Sequence, residues 1–536
     1  MDNPITLAPD YYLDNFFKLI EHAQTWYADL LTPSEHQWLA EFAQLDKQSQ
    51  CLLVRFYSRR GEWFRRDKLS YNEIQNIDQC LKRLAKCGFI LLNPPLSGQQ
   101  LATHLLTKPE ILSLYPSLAK ALKKEQLIAS IPVEEIVEPT LLSFDVIQLE
   151  SAHMIELLLT LFFANTHQDL SQFVLDDLGL HQFEKYQLSK ERRFFDCREQ
   201  IEQLLQLSQI TQLYSDADRK QMAALEQCYQ LIPAAIEHNY IERKRQHLIN
   251  DIARDFERIG EYDRALELFK TTHLPPTRER QARILDKLEH DEAFSDIVTE
   301  MFIHPVDLAE YEVATKLEQR VRRKRGEKVA RITKPKCHEY RLELDLSTQR
   351  VELAAKDYFE QQGWQVFYAE NSFLNGLFGL AFWDVIFAPV EGAFLNAYQY
   401  KPLDLYHSDF QEKRQDVINF VFAQMENEGL AHLKTRYREK FNTSNPFVHW
   451  AGFEFDLLEA ALETIPVPTL SELFKVQLSG LALYRNGMPD LIAFKEDQYR
   501  WIEVKGPGDK LQDNQWRWIR EFERLNQPFS VCYVNQ

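Results

Sequence analysis

The sequence predicts a multidomain protein, all-α through its N-terminal and middle regions and α/β at its C-terminal end. Three observations carry that expectation. A chain of 536 residues is longer than one hydrophobic core serves, so three or four domains are expected. Only 16 residues are glycine, and Leu, Glu, Gln and Ala dominate much of the first 340 residues, which favours helix. The last fifty residues instead alternate apolar runs of strand length with one helical stretch, in the order β-β-α-β. Hydrophobic residues at 45% and aromatics at 12% are ample for several cores.

Residues 1 to about 35 have helical character, anchored by Tyr11, Tyr12, Phe16, Phe17 and Leu19. Residues 36–95 hold Leu52 to Phe56, a helical spacing from Leu69 to Cys87 and a short strand from Gly88 to Leu92. Helices followed by a small β-wing resemble a winged-helix module, so 1–95 is read as a helical, winged-helix-like region. From 96 to 154, Leu101 to Leu106, Lys108 to Leu114 and Leu118 to Leu127 suggest two or three short helices. Residues 155–345 read as all-helical. Within them, Ala253-x-x-Phe256 followed by Gly260-x-Tyr262-x-x-Ala265 and Phe269 fits one tetratricopeptide-like helical pair.

The chemistry concentrates beyond residue 345. A helix from Thr348 to Phe359 is expected, then a strand Trp364–Tyr368 ending in Ala369-Glu370-Asn371-Ser372, then a long apolar helix from Phe373 to Phe387. Near the end, Asn486-Gly-Met-Pro-Asp490 precedes an apolar strand reaching Phe494. Lys495 to Gln498 is turn-like, and Tyr499 to Lys505 is a second strand carrying Glu503-Val504-Lys505. Side chains alternate faces along a strand, so Glu503 and Lys505 share one face and Ile502 and Val504 the other. The hairpin brings Asp490 beside Glu503. Two adjacent carboxylates repel unless a cation sits between them, and oxygen ligands suit Mg²⁺ or Mn²⁺. Glu-x-Lys alone is common in any protein; the Pro-Asp before the first strand and the Gly506-Pro-Gly-Asp509 after the second make the pattern specific.

These motifs, with the helix bearing Gln515, Trp516 and Trp518 and the last strand Phe529–Val534, resemble the VRR-NUC nuclease domain of the PD-(D/E)xK superfamily. With the upstream strand and acid, the order is similar to the Fanconi anaemia-associated nuclease family, of the shorter, bacterial type. That resemblance implies a restriction-endonuclease-like α/β nuclease domain over 346–536. It also implies a DNA-binding role for 1–95, a SAP-like module over 96–154 and a helical-repeat domain over 155–345. It implies metal ligation by Glu370, Asp490, Glu503 and the Val504 carbonyl, with one or two Mn²⁺ or Mg²⁺ ions. Lys505 would act on the attacking water or the transition state, and Gln515 would organise the site. The implied activity is 5′ flap endonuclease and 5′-to-3′ exonuclease cleavage, phosphodiesterase I-type, in interstrand crosslink repair. A junction resolvase or restriction-type endonuclease of the same superfamily fits the motifs too. A third reading is a helical-repeat DNA-binding scaffold with an inactive nuclease domain, which the joint presence of Asp490, Glu503 and Lys505 disfavours.

Net charge is −18, so any DNA footprint must be local. Arg55, Arg59, Arg60, Arg65 and Arg66 are interleaved with Phe56, Tyr57, Trp63 and Phe64. Residues 320–336 hold nine basic residues against one acid, Arg322 and Arg323 among them. Lys510 follows the second strand. These are the candidate phosphate contacts. Seven scattered cysteines without C-x-x-C spacing argue against a disulfide framework or zinc site, and no N-terminal Cys/His set suggests a ubiquitin-binding finger. No signal peptide and no apolar run of about 18 residues is seen. The expected setting is the bacterial cytoplasm, at the nucleoid, with no membrane partner. Oligomeric state is not legible.

Overall fold

The computed structural model describes residues 7–535 except 60, 133–134, 139–140, 167, 169–172, 174–181, 331–333 and 348. The chain divides into two compact units: Met1–Leu180 with Phe195–Ser208, and His181–Phe194 with Gln209–Gln536. Among the described residues no helix is long and apolar enough to cross a membrane.

The first unit opens with helices Tyr11–Tyr27, Pro33–Gln44 and Lys47–Tyr57. Thr32 and Glu35 close a capping box, and Pro33 occupies the first helical turn. Phe16, Trp38, Phe42 and Tyr57 stack together beneath these helices. The helix expected from Leu69 begins only at Ile77, because the Asn76 side chain caps it by accepting from the Gln79 amide. Five short strands follow the pattern β1 (Trp63–Arg65), β2 (Ile90–Leu92), β3 (Leu96–Ser97), β4 (Ile136–Val137) and β5 (Val146–Leu149). The wing is three-stranded in the order β1-β5-β2, all antiparallel. Its central strand therefore comes from the segment expected to be helical. Helices do form at Gly98–His104, Lys108–Leu114 and Lys124–Ala129, the last shifted from the expected Leu118–Leu127.

In the second unit, helices Asn239–Ile259, Tyr262–Phe269, Thr277–Lys287, Asp291–Ile303 and Leu308–Lys324 pack each against the next. The expected tetratricopeptide-like pair forms, with Ala253, Phe256, Ala265 and Phe269 buried between its helices. Gly260, at φ 95°, ends the first of them. The C-terminal sheet has five strands: β6 (His338–Glu343), β7 (Gln365–Tyr368), β8 (Leu491–Lys495), β9 (Gln498–Lys505) and β10 (Phe529–Asn535), in the order β6-β10-β9-β8-β7. β6 and β9 run parallel to β10, while β8 is antiparallel to both of its neighbours, β7 and β9. β6 corrects the all-helical expectation for 155–345. Its edge position, paired on one side only, is a tertiary fact no local pattern carries.

The sheet is covered on both faces. Ile502 and Val504 face the helix Val351–Gln361 through Ala355 and Phe359. Trp501 faces the helix Asp513–Arg524 through Phe522, ring centroids 5.2 Å apart. The apolar stretch expected as one helix from Phe373 to Phe387 is two, Phe373–Ala381 and Trp383–Ile386. Gly376 and Gly379 let neighbours approach closely: a Cβ at Gly376 would lie 2.5 Å from the Phe453 ring. Helices Gln415–Glu428, Leu433–Lys440, Phe455–Thr464 and Val467–Ser479 build the layer around this stretch.

In the first unit, His22 is buried, with Nε2 donating to the Leu161 carbonyl at 3.2 Å and the ring against Phe162. Burial pushes its pKa down to about 4. The folded state keeps the ring neutral, whereas the unfolded chain takes up the proton near 6.5, so stability is lost as pH falls through 6.5 toward 4. The loss should approach about 1.4 kcal/mol per pH unit in that window. His22→Leu should flatten this dependence while costing about 1–2 kcal/mol at pH 7, since the Leu161 carbonyl loses its donor. Thermal melts from pH 4.5 to 7.5 check both.

Candidate active site

Register assembles the site. In the β8–β9 hairpin Leu491 pairs with Ile502 and Lys495 with Gln498, leaving a two-residue turn in which Glu496 has φ 53°. One step beyond Leu491 and Ile502, Asp490 stands across from Glu503. On the other side of β8, Tyr368 pairs with Leu491, and the Ala369 amide donates to the Asp490 carbonyl at 2.7 Å. Glu370 follows at once. Three neighbouring strand ends thus deliver Glu370, Asp490 and Glu503 to one end of the sheet, although 120 and 133 positions separate Glu370 from the other two.

Glu503 and Lys505 are buried, at 1% and 8% exposure. Lys505 Nζ lies 2.7 Å from Glu503 Oε1, and Gln515 Nε2 donates to the same oxygen at 2.5 Å. The Val504 amide donates to Asp490 Oδ2 at 2.8 Å, so the backbone at Val504 lies against that carboxylate. Glu370 is exposed; it accepts from the Tyr368 hydroxyl and, at 3.3 Å, from Asn371 Nδ2.

Burial pushes Glu503 up to about 8, with the Asp490 charge adding to the shift and Lys505 opposing it. Burial also pushes Asp490 up to about 6. The Val504 amide and Lys505 oppose that shift, and the Glu370 and Glu352 carboxylates add to it. Glu352 lies on the helix Val351–Gln361 and so belongs to the same acidic neighbourhood. Among the described residues no three carboxylate, imidazole or thiol groups already converge on one ion-sized point. Lys505 and Gln515 hold Glu503, and Tyr368 holds Glu370. The donor set nonetheless fits a hard divalent cation. It is all oxygen, and its carboxylates, Glu503 buried and Asp490 half-buried, stay costly as anions until positive charge arrives.

Two residues that the sequence reading passed over, Tyr368 and Asn371, complete this end of the sheet. Asn371, at φ 49°, accepts from the Met488 amide at 3.3 Å, and Asn375 Nδ2 donates to the Asn371 and Arg485 carbonyls at 2.7 and 2.8 Å. These bonds tie the loop carrying Asp490 to the loop carrying Glu370. A polar Asn-x-x-x-Asn pair inside a long apolar stretch was the available signal.

The basic candidates separate. Arg65 is 8% exposed, paired with Asp67 and Glu110 and set over the Phe144 ring. Its role is to hold the fold, which corrects its expected place among the phosphate contacts. Arg55 is bound by Glu73 beside the Tyr12 ring, and Arg66 pairs with Asp78. Arg59 lies over the Tyr71 ring, with no carboxylate partner among the described residues. Arg60 is outside the described residues. Arg322 pairs with Glu318 and Glu327, Arg323 donates to Gln319, and Lys510 is exposed after β9.

Residues 426–536 match the family model described as the VRR-NUC domain, and residues 10–91 match the one described as the FAN1 HTH domain. Fold, site and these matches define a nuclease, a hydrolase acting on DNA, of a type that uses divalent metal. The Fanconi-associated nuclease 1 homolog of Pseudomonas aeruginosa is 32% identical over 549 residues, spanning 100% of this chain and 97% of the relative. The Arabidopsis thaliana homolog is 26% identical, over 95% of this chain and 65% of its own length. Crystal structures of paFAN1 bound to 2-nucleotide and 1-nucleotide 5′ flap DNA with a gap superpose with a TM-score of 0.86 at 32% identity, over 99% and 98% of this chain. The chain belongs to the Fanconi-associated nuclease 1 family.

Gly487 has φ 86°, and a Cβ there would meet the Asn514 backbone at 2.6 Å. Gly487→Ala should therefore push the Asp490 loop away from the helix bearing Gln515. The expected result is a stability loss of at least about 1–2 kcal/mol from backbone strain alone, with DNA cleavage reduced at least tenfold. Melting and cleavage assays on the same preparation check this.

Proposed function

We propose that the chain cuts DNA carrying a 5′ flap, acting as a 5′ flap endonuclease and 5′-to-3′ exonuclease in the repair of interstrand crosslinks. The single observation behind this reading is the meeting of Asp490 and Glu503 beside Lys505 at the open end of the hairpin. Its support from relatives is the pair of paFAN1 structures that hold 5′ flap DNA. The bacterial cytoplasm, at the nucleoid, is the setting proposed for this work.

Asp490, Glu503, Glu370 and the Val504 carbonyl are the proposed metal ligands, for Mg²⁺ or Mn²⁺. A bound ion would polarise the scissile phosphate and lower the pKa of an attacking water. Lys505 is already held by Glu503, and its ammonium orients that water or meets charge developing on the phosphate oxygens. Gln515 and Lys505 both hold the Glu503 carboxylate through Oε1, so the carboxylate that would bind the ion is fixed in place. Glu370 must leave Tyr368, or bring it along, to join the set.

The proposed division of labour is DNA binding by 1–95, a SAP-like module over 96–154, a helical scaffold over 155–345 and the nuclease over 346–536. Arg59, Arg60, Arg66, Arg322, Arg323 and Lys510 are the proposed phosphate contacts. Arg55 is a lesser one, since Glu73 already occupies it.

Asp490→Ala should abolish cleavage and leave DNA binding near wild type, because a carboxylate is lost where phosphate approaches. Glu370→Gln should match it, as only a shared site makes two acids so distant in sequence equivalent. Time courses on labelled 5′ flap DNA with Mg²⁺ or Mn²⁺ decide; undiminished cleavage by either variant removes that residue from the site.

Arg59→Glu should weaken duplex binding. If Arg59 meets one phosphate, the slope of log affinity against log salt should shrink by about 0.9. Titrations at three salt concentrations measure it, and an unchanged slope excludes the contact.

A further inference from the structure

Many arginines and lysines of the second unit are matched to acids: Arg517 to Glu312, Arg414 to Asp404, Arg436 to Asp384, Lys440 to Glu184. Lys401 and Arg485 are among those with no carboxylate partner among the described residues. Both lie against tyrosine instead. Arg485 Nη1 donates to the Tyr406 hydroxyl at 2.8 Å, and its guanidinium is 5.4 Å from that ring's centre. Lys401 Nζ lies 5.3 Å from the Tyr406 ring centre and 5.5 Å from that of Tyr400. Tyr400 itself is 47% exposed.

The cluster is built rather than incidental. Gln399 Oε1 accepts from the Leu395 amide at 2.5 Å and the Leu403 amide bonds Ala393 at 2.9 Å, which shapes the loop before and after Tyr400. Asp404 takes the buried Arg414 through two bonds of 2.7 and 2.9 Å, which anchors the chain just before Tyr406. Tyr406 also lines a cleft of about 280 Å³ whose walls include Arg243, Leu405 and Leu481.

Its place relative to the catalytic loop is fixed. Arg485 precedes Asp490 by five positions, and its carbonyl is held by Asn375, which also bonds Asn371 beside Glu370. Two cations without acid partners and an exposed ring are thus tied, through Arg485 and Asn375, to the loops carrying Glu370 and Asp490, whose acids repel phosphate. That arrangement suits a strand whose bases are free to stack and whose phosphates need local positive charge. A duplex offers no such free base.

We propose that Tyr400, Lys401 and Arg485 form a subsite for an unpaired nucleotide of the substrate: Tyr400 stacks on the base, and the two cations take the flanking phosphates. Tyr406 is a positioning residue that holds Lys401 and Arg485 in place. The subsite rests on the flap-nuclease reading above and adds how the single strand is gripped.

The test replaces flap nucleotides one at a time by an abasic site, in 5′ flap DNA cut under single-turnover conditions. For wild type, an abasic site at one flap position should slow cleavage about tenfold, the range of one lost base-on-aromatic stack. Tyr400→Ala should slow cleavage of the intact flap equally and no longer respond to that abasic site. Tyr400 is exposed, so the variant should fold; Lys401→Glu, also at the surface, should show the same loss on flap DNA and little on blunt duplex. A wild type indifferent to every abasic position, or a Tyr400→Ala protein still sensitive to it, overturns the subsite. A 2-aminopurine at that position should be quenched on binding to wild type and not to Tyr400→Ala, a measurement that needs no cleavage. Failure of wild type to cut any DNA would count against the nuclease reading alone, while an unquenched 2-aminopurine overturns the subsite whatever the cleavage result.

Discussion

The juxtaposition of Asp490 with Glu503 is the constraint on which this end of the molecule depends. Two carboxylates brought together in a largely buried place each resist ionising, as the raised pKa of both shows. Removing water from an acid and placing a second acid beside it are both unfavourable. Fold elements around the pair answer that cost with the means at hand. Lys505 supplies a charge, Gln515 and the Val504 amide supply hydrogen bonds, and the remaining demand is for a cation. A site that the protein alone leaves incompletely neutralised in this way fits a divalent cation.

The sheet is the instrument that creates the juxtaposition. Antiparallel pairing of β8 with both β7 and β9 means that its first residue meets two other strand ends at once. A shift of one residue in either pairing would turn Asp490 or Glu503 to the opposite face, into the apolar layer of Ala355 and Phe359. The packing on each face, Trp501 on Phe522 and Ile502 and Val504 on the helix before β7, therefore selects the register that assembles the site.

Charge is distributed by the same logic. The chain is acidic overall, and many of its basic side chains are spent on ion pairs inside the fold, Arg65 and Arg414 most deeply. What is left for a polyanion are the cations without acid partners, among them Arg59 on one unit and Lys401 and Arg485 on the other. A basic run in sequence is thus a poor guide to a basic surface. Residues 320–325 illustrate it: Arg320 and Lys324 are tied to Asp286, and Arg322 to Glu327.

The sequence by itself determined the hairpin carrying Asp490 and Glu503, its two faces, the helix after it and the last strand, because period-two alternation and a Pro-Asp start are local signals; that the last strand runs parallel to β9 is decided by the tertiary structure. It also determined the tetratricopeptide-like pair, whose small and aromatic contacts repeat at helical spacing. Metal ligation by Glu370 is what family resemblance implies; its neighbourhood with Asp490 is a property of strand pairing across 120 residues. Tertiary structure alone decided the rest. β5 and β6 are short strands defined by their partners and not by their own pattern. Gly376 and Gly379 admit Phe453 and Val448 within an apolar stretch that breaks into two helices. Arg65 is structural because Asp67 and Glu110 fold onto it. Each of these depends on contacts between positions far apart in the chain, and a pattern read within one window carries no information about which distant window will supply the partner.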